Sequence, residues 1–131
     1  YCLRGGILSQ MSADHSQVEE MVAAGLLNAK EAENHPDANV ITRAVGVSEN
    51  LGLDIDLFPV VARDRYLLCS DGLNKELTDA EIADHLSSGN CAEGCEKLVQ
   101  TALSRGCRDN ISVIVIDFTE TTEMQAVPLD G

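Results

Sequence analysis

Two stretches decide the fold: Tyr66-Leu-Leu-Cys-Ser-Asp-Gly72 and Arg108-Asp-Asn-Ile-Ser-Val-Ile-Val-Ile116. Each is an apolar run with an aspartate at one end. Asp71 follows the first run; Asp109 precedes the second. If the runs are antiparallel strands of one sheet, both carboxylates stand on the same edge. Two carboxylates on one edge suit a hard divalent cation, which takes oxygen ligands. Each motif also has a plainer reading. Asp71 and Gly72 are ordinary turn residues, and Arg108-Asp109-Asn110 reads as a polar turn between a helix and a strand. The pairing, each aspartate flush against a buried run, is what points to a site.

The runs sit among legible elements. Residues 1–4 and 7–10 flank Gly5-Gly6, a hairpin signature. Ser16-x-x-Glu19 is a capping box for a helix with Val18, Met21 and Val22 as its stripe and Gly25 as its stop. A short helix is expected from Asn28, with Glu31 three residues on, ending before His35-Pro36. Residues 39–45 read as a strand closed by Gly46. Residues 53–60 alternate Leu53, Ile55 and Leu57 with Asp54, Asp56 and Phe58, the mark of a half-exposed antiparallel strand. Residues 65–70 and 111–117 read as buried strands. Thr78-x-x-Glu81 caps a helix, with Leu77 and Ile82 as its hydrophobic staple, and Asn90-x-x-Glu93 opens a longer one. That helix carries Cys91, Cys95, Leu98, Val99, Ala102 and Leu103 on its stripe and stops at Gly106. The order predicts one α+β domain, an antiparallel sheet covered by helices on one face. Residues 119–131 are expected to form a mobile tail.

Composition excludes several classes. The 131 residues hold 9 basic and 22 acidic groups, a formal charge of −13, which argues against binding nucleic acid or an anionic membrane. No apolar run approaches the ~20 residues of a bilayer span. Cys2, Cys69, Cys91, Cys95 and Cys107 show no C-x-x-C spacing and suggest a reducing, cytoplasmic setting. The first residue is Tyr, so the natural start is expected to lie upstream. His15, His35 and His85 are not spaced as a metal set. Arg43 is expected to pair with a buried carboxylate, with phosphate binding as the alternative. Asp54 and Asp56 share one strand face, taken as the wet one.

Leu67-Leu-Cys-Ser-Asp-Gly-Leu73, an acidic helix, and Gly106-Cys-Arg-Asp-Asn-Ile-Ser-Val-Ile114 together resemble the metal-dependent type 2C (PPM) Ser/Thr protein phosphatases, the bacterial branch above all. Asp14-His15-Ser16, His35-Pro36 ahead of Asn39-Val-Ile-Thr-Arg-Ala-Val-Gly46, and Asp64-Arg-Tyr66 agree with it. The resemblance runs from Tyr1 to about Phe118. It implies an antiparallel β-sandwich flanked by helices, incomplete here. It implies a two-metal Mn²⁺ or Mg²⁺ centre that activates water for hydrolysis of phosphoserine and phosphothreonine on proteins, opposing a Ser/Thr kinase. Asp71 and Asp109 would be metal ligands, Asn110 would orient Asp109, and Gly72 would let the chain turn away from the site. Residues 16–39 would be a flap beside that site.

The family's first half carries a further acidic ligand, a D-G motif whose aspartate bridges the metals, and a phosphate-binding arginine. None is present here, and the chain is expected to begin just after the family's G-D-S-R motif. Residues 1–118 therefore read as the C-terminal part of a catalytic domain, inactive alone, with no substrate-binding residue assigned. The rival reading is a non-catalytic, phosphatase-derived module that binds a partner or dimerises through a sheet edge.

Overall fold

The computed structural model describes residues 1–33, 35–37, 40–46, 49 and 52–119. The chain packs as two compact units, one made of Tyr1–Met11 with Pro59–Gly131, the other of Ser12–Phe58.

The first unit is built on a four-stranded antiparallel sheet. Its strands are β1 (Cys2–Arg4), β2 (Ile7–Ser9), β3 (Arg65–Cys69) and β4 (Val113–Asp117), in spatial order β2-β1-β3-β4. Gly5 and Gly6 sit at φ 56° and 83°. Two consecutive left-handed residues are what a two-residue hairpin turn needs, and glycine adopts them without strain. They set the pairs Cys2 with Ser9 and Arg4 with Ile7. β3 and β4 pair along their whole length, from Arg65 with Asp117 to Cys69 with Val113.

Three helices follow β3: α3 (Asp71–Asn74), α4 (Asp79–Leu86) and α5 (Cys91–Ser104), here labelled in chain order after α1 and α2 of the other unit. Of the expected capping boxes, Thr78 with Glu81 and Asn90 with Glu93 form in both directions, while Ser16 with Glu19 forms only the half in which the Ser16 side chain accepts. Leu77 and Ile82, the staple, are both buried. The core joins Leu3 and Leu67 of the sheet to Leu73, Leu77, Ile82, Leu86, Leu98 and Ala102 of the helical segment, with Val113 and Val115 packed against it. Because side chains alternate along a strand, Leu68 and Ile114 then point the other way, and they are 54% and 58% exposed. β3 and β4, expected as buried strands of a sheet covered by helices on one face, are buried on that face, since the helical layer covers the side that carries Leu67 and Val115.

The second unit holds α1 (Gln17–Ala23) and α2 (Ala29–Glu33). The Ser16 hydroxyl accepts from Glu19 N at 3.1 Å, and Asn28 and Glu31 cap each other reciprocally at 2.9 Å. Among its described residues, Val18 and Ala32 are buried. Two strand expectations fail here. Of residues 39–45, Asn39 lies outside the described residues, and the rest contribute only an isolated bridge between Ser16 and Ile41. Residues 53–60 form no strand, and Leu53, Ile55 and Leu57 are all exposed. Among the described residues no strand lies beside them to satisfy a ladder, and alternation alone cannot supply one.

Candidate metal centre

The edge is where the sequence placed it. β3 ends at Cys69 opposite Val113, the first residue of β4. Asp71 stands two residues beyond the one and Asp109 four residues before the other. The two turns are fastened to each other. Ser70 N donates to Ser112 O at 3.0 Å, continuing the ladder. The Ser70 hydroxyl then donates to Asn110 O and accepts from Ser112 N, both at 2.9 Å. One hydroxyl thus uses its donor and an acceptor lone pair across the gap between the two motifs.

Asp71 opens α3, a four-residue helix in place of the expected turn, with Ser70 at its N-cap. Its carboxylate lies at the helix N-terminus, where free backbone N–H groups favour negative charge. Gly72 is not left-handed, so its role is not backbone freedom. A Cβ there would lie 2.4 Å from the Asn110 carbonyl oxygen and 3.5 Å from the Asp109 Cβ. Only glycine lets the two turns come this close. The contacts of Asn110 run through its backbone: its N–H donates to Asp109 Oδ1 at 2.8 Å and its carbonyl accepts from Ser70.

Sequence reading missed Lys75. Its Nζ donates to Asp71 Oδ2 at 2.8 Å, an i,i+4 pair, and the spacing Asp71-x-x-x-Lys75 was the available signal. The ammonium holds the Asp71 carboxyl below its usual range, and Asp71 with Asp109 raises Lys75. Both partners of the pair are largely exposed. Such a pair is worth little, so it is no obstacle to a divalent cation.

Among the described residues, Asp71 and Asp109 bring two carboxylates to this edge and Lys75 an ammonium. Among the described residues, no group of three or more His, Cys, Asp or Glu side chains converges as a metal site. The donors fit a Mn²⁺ or Mg²⁺ ion as hard oxygen ligands on closely packed turns, but they are too few to enclose one.

The remaining candidates are occupied elsewhere. His15 and Arg43 both bind Asp54, at 2.5 and 2.9 Å. His35 accepts from Asp37 N and His85 pairs with Thr101. Arg43 was expected to meet a buried carboxylate; Asp54 is exposed, held ionised first by His15 and then by Arg43. The buried carboxylate is Asp64, gripped by Arg4 through Nε at 2.8 Å and Nη2 at 2.6 Å. Two-pronged arginine pairs of this kind are the strong ones, and Arg4 keeps the Asp64 carboxyl low.

No family model matches the chain. It is 35% identical over 118 residues to the serine/threonine phosphatase stp of Listeria welshimeri, covering 89% of this chain and 47% of that protein. Among solved structures it resembles PppA, described as a key regulatory component of T6SS in Pseudomonas aeruginosa, at 44% identity and a TM-score of 0.79 over 89% of this chain and 47% of that one. It also resembles the PPM Ser-Thr phosphatase MsPP of Mycobacterium smegmatis, at 35% identity and a TM-score of 0.81 over 90% and 51%. The chain therefore spans about half the length of the proteins it matches. With S-D-G and R-D-N brought to one sheet edge, and nine-tenths of the chain aligned with these proteins, this stretch of polypeptide belongs to the PPM Ser/Thr protein phosphatase family.

Proposed function

We propose that the chain forms the C-terminal part of a phosphatase catalytic domain that hydrolyses phosphoserine and phosphothreonine on proteins. Residues 1–118 carry that part and residues 16–39 serve as a flap. The observation that carries the reading is the fastening of the Asp71 and Asp109 turns at one edge. A neighbouring structure, the catalytic domain of the phosphatase PstP, is described as in complex with two manganese ions, and is 33% identical to this chain with a TM-score of 0.78. That supports Mn²⁺, with Mg²⁺ the other candidate, as the metal Asp71 and Asp109 would ligate.

A pair of divalent cations, when bound, neutralises phosphoryl charge and lowers the pKa of a bound water. The chain's own residues prepare for this. Asp71 and Asp109 present the oxygens. Ser70 and the Gly72–Asn110 contact hold their turns together, so little ordering is needed on binding. Lys75 pairs with Asp71 and favours the ionised carboxylate that a cation would need. Two carboxylates do not fix two cations a few ångströms apart, so the phosphate-holding and bridging groups must come from outside this stretch.

The reading extends to a bacterial, cytoplasmic setting and to a Ser/Thr kinase as the opposing activity. Among the described residues, which include all five cysteines, none is disulfide-bonded, as a reducing compartment favours, and the relatives are bacterial. Among the described residues no helix is long and apolar enough to cross a membrane. That the relatives are named as phosphatases favours the enzyme reading over a non-catalytic module.

The test has two arms. Isothermal titration of the chain with Mn²⁺ should give weak binding, with Kd about 1 mM, as for cations held by few carboxylates, and Asp71→Asn or Asp109→Asn should weaken it further. On a phosphothreonine peptide with Mn²⁺ the chain alone should be inactive. Fused to the half of the Listeria phosphatase that it does not match, it should turn over substrate, and Asp109→Ala should abolish most of that turnover. Tight Mn²⁺ binding indifferent to both aspartates, or fusion activity that survives Asp109→Ala, sinks the proposal.

A further inference from the structure

Cys107 precedes Asp109 by two residues and has no part in the metal reading above. It is half-buried, and its sulfur lies 3.3 Å from the Gly72 carbonyl oxygen and 3.5 Å from that of Asp109. Both neighbours are acceptors, so the thiol is the donor between them. The Gly72 carbonyl is a group in need of one. Within the short helix α3, Asp71 O receives Lys75 N, and Leu73 O receives Glu76 N and Leu77 N. The carbonyl between them is met by the Cys107 thiol.

We propose that Cys107 is a positioning residue, its thiol holding the Asp109 turn against the first turn of α3 so that Asp71 and Asp109 face one shared cation. The proposal rests on the metal reading of those two aspartates. Ser70 fastens the turns on the strand side, through Asn110 and Ser112. Cys107 fastens them on the helix side, through Gly72. Asp109 stands between these points, in a segment without regular secondary structure. With the second fastening gone, that segment gains conformations that cation binding must then remove. The consequence falls on the cation affinity, while the sheet and its core, which do not depend on Cys107, stay folded.

A half-buried cysteine can also be mere filling, and the choice of variants separates the two roles. Cys107→Ser keeps a donor able to reach a carbonyl, Cys107→Val keeps volume without a donor, and Cys107→Ala keeps neither. The first measurement uses metal-free chain: amide ¹H–¹⁵N spectra and the thermal midpoint. The Gly72, Asp109 and Asn110 signals should shift in the Ala and Val variants and stay near their original positions in Ser, with core signals and midpoint unchanged. The second is Mn²⁺ titration. Ala and Val should each lose roughly threefold to tenfold in affinity, the usual worth of one hydrogen bond, and Ser should retain most of it. Unmoved signals in the Ala variant overturn the fastening whatever the metal does. Affinity kept by Val and lost by Ser overturns it in favour of packing. Signals that move as expected, in a chain whose Mn²⁺ binding ignores Asp71→Asn, overturn the metal reading and the purpose assigned to Cys107, and leave the fastening itself standing.

Discussion

At the scale of single residues, two glycines that look alike in the sequence should answer the same substitution in opposite ways. An added Cβ at Gly72 would lie 2.4 Å from a backbone oxygen, that of Asn110. Neither turn can yield without moving the other, because Ser70 ties them together. Gly72→Ala should therefore push the Asp109 turn away, cut Mn²⁺ affinity by about tenfold or more, and lower the thermal midpoint. At Gly94, inside α5, the same Cβ would meet Leu86 Cδ2 at 3.7 Å and Val115 Cγ2 at 4.0 Å, ordinary contacts. There the gain in helix propensity is unopposed, and Gly94→Ala should stabilise by about 0.5–1 kcal/mol. Calorimetry on the two variants decides the matter, and a Gly72→Ala chain as stable and as competent for Mn²⁺ as the original would remove the close-approach argument.

At the scale of elements, α4 shows what a cap contributes. The Thr78 hydroxyl and the Glu81 carboxylate satisfy free N–H groups of its first turn, and Glu81 also receives the Arg105 guanidinium, which reaches the Glu76 carbonyl as well. The start of α4 is thereby tied to the end of α5. Thr78→Ala should cost about 1 kcal/mol, read from urea unfolding. The pH dependence has a definite sign. Arg105 first, then Thr78, pull the Glu81 carboxyl down to about 2. A carboxyl depressed by folding adds stability above its unfolded pKa of ~4.3 and loses it as pH falls through the folded value. Unfolding midpoints should therefore decline between about pH 4.5 and pH 2, and Glu81→Gln should flatten that decline. The three reciprocal caps, the staple and the Gly-Gly hairpin were legible because each is a local pattern whose partners lie within seven residues. So was the placement of Asp71 and Asp109, through their opposite positions on two apolar runs. Arg4 with Asp64, and Arg65 with Asp117 and the Leu86 carbonyl, join residues tens of positions apart, and no local pattern marks such partners. Residues 53–60 misled for the same reason: alternation describes a strand's two faces but not the neighbour that must pair with it.

For the molecule as a whole, the decisive feature of the first unit is a sheet with one covered face. Leu67 and Leu68 are adjacent and chemically identical, yet one is 2% and the other 54% exposed. The difference is made by α4 and α5, which pack Ile82, Leu86 and Leu98 on the Leu67 side. On the other side Tyr66 meets Phe118 edge-on at 5.3 Å, while Leu68 and Ile114 stay open beside them. Stability should accordingly be carried by one layer. Leu98→Ala opens a cavity among fully buried neighbours and should cost about 2–5 kcal/mol. Ile114→Thr keeps the β-branched shape on an open strand surface and should change stability by no more than about 0.5 kcal/mol. Denaturant titrations of the two variants test this directly. If Ile114→Thr proves as damaging as Leu98→Ala, the open face is covered in solution, by a second copy of the chain or by its own remaining segments. Repeating the titration at several protein concentrations tells these apart, because only association between copies makes the midpoint rise with concentration.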